Sequence, residues 1–471
     1  MKHLTPLKAD LMITIKKIAD YALRTGATAL FLINTAQAGI PIEHWTQGSG
    51  AQVWLVQSHA IPMVDVQIDF DAGSRHDPPE QAGLASVSAS MSNKGVLASA
   101  SKVAGVSATA PPLDENALSE AWADLGAAFH GGAGSDRMSF SLRSLSYPDI
   151  LAQAVELAAR QLGEPAFPEA VWQRERETLN AALKEANTRP ATWANRAFET
   201  AVYGPHPYGY EMTEQTLARI KVSDMRALHS RLILPCRAKV TLVGAIKRTQ
   251  AEALVTQLLA RLPAADAGCP ALPGVPEVAA LQEGVVKQIP FESAQAHVLI
   301  GQPGFKRHDP DYFALTVGNY ILGGGGFVSR LTSEVREKRG LSYSVYSAFA
   351  PGLHAGAFTL GLQTRPDQAE QAVQVARDVL NRFVADGPTE TELRAAKDNL
   401  IGGFALRIDS NAKLLGNVAN IAWYGLALDY LETWTQQAAR VTAQDIRAAF
   451  ERKLQPDTMV TVVVGAAKAK P

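Results

Sequence analysis

The sequence predicts an α+β fold written twice: a two-lobe clamshell, each lobe holding two similar α+β subdomains, with a mixed or antiparallel sheet flanked by helices. Three observations predict it. The chain has 471 residues, 47% of them apolar and 19% charged, which is too long for one core. Residues 221–246 match residues 442–467 without a gap, so that Asp224 pairs with Asp445, Pro235 with Pro456 and Gly244 with Gly465. Each copy reads as a helix, a proline-marked turn and a β-branched strand that ends in glycine. Upstream, residues 139–162 resemble residues 357–380, each an alternating strand, a Pro-Asp helix start and an alanine-rich amphipathic helix.

Taken from the N-terminus, Lys8, Lys16, Lys17 and Arg24 precede the apolar run TGATALFLI and an Ala-x-Ala site at Ala36 and Ala38. This is the layout of a secretory signal peptide over residues 1–38, with Met12 as an alternative start and an amphipathic helix as the competing reading. Cleavage leaves the mature chain at a net charge of −4, without a basic stripe, which argues against nucleic acid as a partner. No later apolar run reaches the ~18–20 residues of a membrane span. The mature protein is expected to be exported to the periplasm.

Residues 39–262 form the first copy and residues 286–471 the second. The proline- and glycine-rich segment 263–285 reads as a linker between them. The turn SRHDP (74–78) in the first copy is echoed by KRHDP (306–310) in the second. Both cysteines lie near the linker, Cys236 at the start of a strand and Cys269 in the linker itself. A disulfide between them and two unpaired thiols remain equally open, and two thiols alone make no zinc site.

The most distinctive stretch is ILGGGGFVSRLTSEVREKRGLSYSVYSAF, 321–349. Gly323, Gly324, Gly325 and Gly326 permit close backbone approach ahead of a helical stretch from Ser329 to Lys338. The run lacks the lysine of a phosphate-binding loop, so a tight strand-to-helix crossover is the structural reading. Read on its own, Arg336 pairs with Glu334 or Glu337, and Tyr343 is a core residue of a strand.

This stretch, the duplicated layout and GPHPYG at 204–209 resemble the pitrilysin-type zinc peptidases, the inverzincins. That group includes the mitochondrial processing peptidases and the core subunits of the respiratory cytochrome complex. The resemblance implies that Arg336 and Tyr343 reach the active site across the clamshell, with the glycine run contributing to substrate binding. It also implies a metal helix at GLASVSASM (83–91), where active members carry two zinc-binding histidines and a general-base glutamate. Here the histidine positions hold Ser86 and Ser90, and the base position holds Ala89. The downstream ligand position, in WQRERET, holds Gln173, with Glu175 two residues on. Neutral serine and glutamine are poor zinc donors, and alanine takes no proton. No two of the ten histidines lie four apart, so no His-x-x-x-His site exists elsewhere.

The resemblance therefore implies a chain that needs no cofactor of its own. It fits the non-zinc-binding subunit of a two-chain metallopeptidase, whose homologous partner carries an intact His-x-x-Glu-His motif and the zinc. The alternative is a catalytically inactive binding or assembly protein. An active peptidase with a relocated metal site is disfavoured by the missing ligands.

Overall fold

The computed structural model describes residues 39–100, 109–263 and 269–465. The expected signal peptide, 1–38, lies outside the described residues. The described residues from Ile40 onward form one compact unit.

Its first half contributes β1 (Glu43–Thr46), β2 (Gln52–Gln57) and β3 (Met63–Phe70). Four two-residue strands follow, β4 (Gly95–Val96), β5 (Ser99–Ala100), β6 (Thr109–Ala110) and β7 (Leu113–Asp114), and then β8 (Ala128–Ala133), β9 (Met138–Leu145) and β10 (Lys239–Gly244). They build a six-stranded sheet in the order β1-β2-β10-β3-β9-β8, antiparallel except for the β2–β10 pair. The second half supplies β11 (Val285–Ile289), β12 (Ala296–Pro303), β13 (Ser344–Phe349), β14 (Ala357–Thr364) and β15 (Val460–Val464). These run β11-β15-β12-β14-β13, again with one parallel pair, β11–β15. Strand for strand the second order repeats the first without β1. Each half thus holds one main sheet, so the expectation of two similar subdomains within each lobe is corrected to one. The four shortest strands form only two-stranded pairs.

The matched sequence segments fold alike. Helix Val222–Leu232, the turn Pro235–Arg237 and β10 repeat as helix Ala443–Lys453, the turn Pro456–Thr458 and β15. Alternation along the strands assigns two cores to each sheet. In β2, Val53 and Leu55 face the first lobe's own helices, whereas Trp54 and Val56 pack on Leu414, Leu415 and Val418. In β15, Val463 faces its own lobe, while Val460, Val462 and Val464 pack on Ala194, Phe198 and Val202.

The second layer is exchanged between the halves. Helix Pro190–Tyr203, from the first half, lies on β12 and β15, and helix Asn411–Tyr424, from the second, lies on β10 and β3. Both helices end in Tyr-Gly, at 203–204 and 424–425, the same offset of 221 that relates the other repeats. The Lys239 ammonium donates to the carbonyls of Ala422 (2.9 Å) and Trp423 (3.0 Å), closing the C-terminus of the second exchanged helix from inside the first sheet. Strands buried at every position, such as Val460–Val464, are covered on both faces, whereas β9 and β13 keep exposed positions on one face.

The linker is tied to its surroundings. Cys236 and Cys269 form a disulfide, with a Cα–Cα separation of 5.7 Å. His206 of the GPHPYG turn contacts the Pro276 carbonyl through Nε2 at 3.0 Å. Burial pushes the His206 imidazole below its ordinary range, so it stays neutral beside that carbonyl. The Tyr208 hydroxyl donates to Asp136 Oδ1 (2.5 Å) and accepts from the His354 N–H (3.2 Å), joining the first lobe to a turn of the second. The disulfide closes a 33-residue separation, for which chain entropy gives about 3–4 kcal/mol. Reduction should lower the denaturation midpoint accordingly, measured in urea with and without reductant. Coincident curves would show that the bridge contributes nothing.

Candidate functional site

Helix Leu84–Met91 occupies the place where the resemblance puts a metal helix. Gly83 starts it in the left-handed region (φ 102°), and Asp77 of the SRHDP turn accepts from the backbone N–H groups of Gly83 (2.9 Å) and Ala85 (3.0 Å). The helix is therefore well capped, and it is anchored by buried Leu84, Val87 and Met91. Ser86 is half-buried, Ser90 is exposed and Ala89 is fully buried. The backbone carbonyl of Ala89 accepts from Ser92 Oγ at 2.7 Å.

Gln173 lies on helix Glu169–Ala186, where its amide donates to Glu169 Oε1 (2.5 Å) and accepts from Arg176. The neighbouring carboxylate is also engaged: Glu175 pairs with Lys94 Nζ at 3.0 Å and with Arg174 at 3.1 Å. Lys94 and Arg174 hold Glu175 below the usual carboxylate range, so it is an ion-paired anion. The donor set at these positions does not fit zinc: two hydroxyls, an alkyl group and an amide already paired. Among the described residues no cluster of three or more His, Cys, Asp or Glu could hold a metal ion.

The second candidate region is better defined. Helix Tyr312–Asn319 continues as a π-helical turn, Tyr320–Gly324, and a second π-helical turn spans Thr332–Glu337. Such turns are rare and concentrate at functional sites. The glycine run therefore ends a helix and turns into the next one, which corrects the strand-to-helix crossover. Gly323 is buried, and a Cβ there would meet the Ser347 nitrogen of β13 at 2.4 Å, so only glycine permits this contact. Gly324 and Gly326 are exposed and Gly325 is half-buried. Asn319 locks the run to the same strand, donating to the Ser347 carbonyl (3.1 Å) and accepting from Ser347 Oγ (2.7 Å).

Local packing then sets which side chains project. Leu331, Val335 and Leu341 are buried in the second lobe's core. Arg330 grips Glu392 at 2.6 and 2.7 Å. Burial alone would raise the Glu392 carboxyl, but Arg330 and the Thr389 backbone and hydroxyl hold it down at about 2. With both flanks fixed, Arg336 is half-buried, its guanidinium 4.8 Å from the centre of the Phe327 ring. Glu334 does not pair with it; Glu334 takes Lys338 (2.6 Å) and Arg339 (2.7 Å) instead. Tyr343 sits at the apex of a serine turn in which Ser342 Oγ donates to the Ser344 carbonyl (2.6 Å) and accepts the Ser344 N–H (3.1 Å). Its side chain is 84% exposed, so it is not the core residue of the isolated reading. Phe327 and Val328 are also exposed, at 70% and 76%. These two apolar residues were not singled out from the sequence, although their place directly after the glycine run was the available signal.

Residues 219–400 match the family model described as the peptidase M16 inactive domain. A crystal structure of a peptidase M16 inactive domain from Pseudomonas fluorescens is 34% identical, covering 92% of this chain and 99% of that one with a TM-score of 0.83. The chain belongs to the M16 peptidase family. Among curated M16-like relatives, a protein of Helicobacter pylori named non-peptidase homolog YmxG is 24% identical over 87% of this chain and 90% of its own length. An uncharacterized zinc protease of Streptomyces coelicolor is 35% identical over 167 residues, 35% of this chain and 36% of that protein. The match thus spans little more than a third of that relative. Within the M16 family this chain is an inactive peptidase-like member: its metal positions hold neither a zinc ligand nor a base. No helix among the described residues is long and apolar enough to cross a membrane.

Proposed function

We propose that this chain is the non-zinc-binding subunit of a heterodimeric zinc metallopeptidase. It supplies Arg336 and Tyr343 to peptide-bond hydrolysis while a homologous partner with an intact His-x-x-Glu-His motif supplies the zinc. The observation that carries the reading is that Arg336 and Tyr343 are both left available. Among the described residues no carboxylate pairs with Arg336 and no hydrogen bond occupies the Tyr343 hydroxyl, although acids stand beside the first and strands beside the second. A phenol and a guanidinium so placed can donate to the oxyanion of a tetrahedral intermediate. Gly324 and Gly326 leave exposed backbone where a bound peptide can approach, while the Gly325 N–H already donates to the Tyr320 carbonyl (2.8 Å), and Phe327 and Val328 offer an apolar contact. Export to the periplasm, as the N-terminal segment suggests, is consistent with a disulfide.

The experiment is reconstitution. The purified chain alone should hold no stoichiometric zinc and cleave no peptide. Mixed with its zinc-bearing homologue, it should co-elute on gel filtration and raise peptide hydrolysis above that of the homologue alone. One tightly held zinc per isolated chain would overturn the reading of Ser86, Ala89 and Ser90. A stable complex with no gain in hydrolysis would favour the assembly-protein alternative.

A further inference from the structure

The duplication carries an asymmetry outside both regions above. Arg75 and Arg307 are equivalent residues of SRHDP and KRHDP. Arg75 is buried and neutralised, with Nη2 2.5 Å from Asp71 Oδ1 and Nε 3.4 Å from Asp136. In the second copy the position of Asp71 is taken by Pro303, and among the described residues Arg307 has no carboxylate within ion-pair distance. Its guanidinium lies in an aromatic cage instead: 3.8 Å from the Tyr312 ring centre, 5.1 Å from Tyr430 and 5.8 Å from Tyr424. Nη2 donates to the Tyr430 hydroxyl at 2.6 Å.

A second cation stands beside it. Arg407 lies 5.3 Å from the Trp434 ring centre, and among the described residues it too lacks an acidic partner. Tyr430 and Trp434 are one turn apart on helix Tyr430–Arg440, so their rings hold the two guanidinium groups along one helix face. Both arginines line a single cavity of about 270 Å³. Two like charges on one wall, without a counter-charge, repel each other. A planar guanidinium pair is also suited to gripping an anion through several parallel N–H bonds. The aromatic walls suit an apolar group attached to that anion.

We propose that this cavity binds an oxyanion, a carboxylate or phosphate, carried on an apolar or aromatic group. The site does not depend on the subunit role proposed above. It is tested by calorimetric titration of the full chain with N-acetylphenylalanine, phenyl phosphate and the uncharged N-acetylphenylalanine amide. At least one of the two anions should saturate with a Kd below about 1 mM, with the amide at least ~10-fold weaker. Which anion binds more tightly identifies the source of the oxyanion, a peptide terminus or a phosphorylated compound. Arg407→Gln, at an exposed position, should weaken that anion at least ~10-fold without changing the melting temperature, and Arg307→Gln should weaken it similarly. No saturation by either anion up to about 10 mM, equal binding of the amide, or unchanged affinity in Arg407→Gln would overturn the proposal.

Discussion

Replacing Tyr343 by phenylalanine in the assembled peptidase should lower kcat by about 10²–10³-fold, equivalent to ~2.7–4 kcal/mol of transition-state stabilisation. The change removes one hydroxyl and keeps the ring. The side chain is 84% exposed in the isolated chain, so stability should stay within about 0.5 kcal/mol of the wild type. Activity and fold are thereby separable: gel filtration reports assembly, a thermal melt reports folding, and peptide hydrolysis reports the donor. Arg336→Ala should produce a loss of similar size. It should fall more on KM if the guanidinium grips ground-state carbonyls, and on kcat if it meets only the oxyanion. Full activity in the Tyr343→Phe complex would make this chain a scaffold and return the function to the binding-protein alternative.

The largest stability effect is expected at the exchanged helix. Phe198 is 3% exposed and packs, with Ala194 and Val202, on Leu299, Val460, Val462 and Val464 of the other half. Fit at this contact is close, since a Cβ on Gly301 would meet Phe198 Cζ at 2.8 Å and the Phe358 carbonyl at 1.9 Å. Phe198→Ala should therefore cost about 3–5 kcal/mol, because it deletes a buried ring and leaves a cavity between β12 and the helix. The same change should loosen the second sheet, which hydrogen exchange in β12 and β15 would report as lost protection. A loss below ~1 kcal/mol, with unchanged exchange, would show that the helix is not needed to cover that face.

Part of this protein was legible in the sequence because the relevant physics is local. The repeat at 221–246 and 442–467 specifies helix, turn and strand through periodicity, a proline and a terminal glycine, and both copies fold so. The loss of zinc-binding capacity was legible too: Ser86, Ala89, Ser90 and Gln173 bring no suitable donor whatever surrounds them.

Only the tertiary structure decided the rest. The valine-rich run of β15 says that both strand faces are buried, but not that the cover is a helix more than 250 residues earlier in the chain. Cys236 and Cys269 were undecided until the fold brought their Cα atoms to 5.7 Å. Arg336 had acids at hand on either side, and the packing of Leu331 and Val335 gave Glu334 to Lys338 and Arg339. The arginines of SRHDP and KRHDP look alike in sequence, yet one is neutralised and the other caged by tyrosines. Donor chemistry and hydrophobic period are properties of a residue and its near neighbours. Partner choice is settled by contacts between segments far apart in sequence, where geometry selects one among several chemically equivalent options.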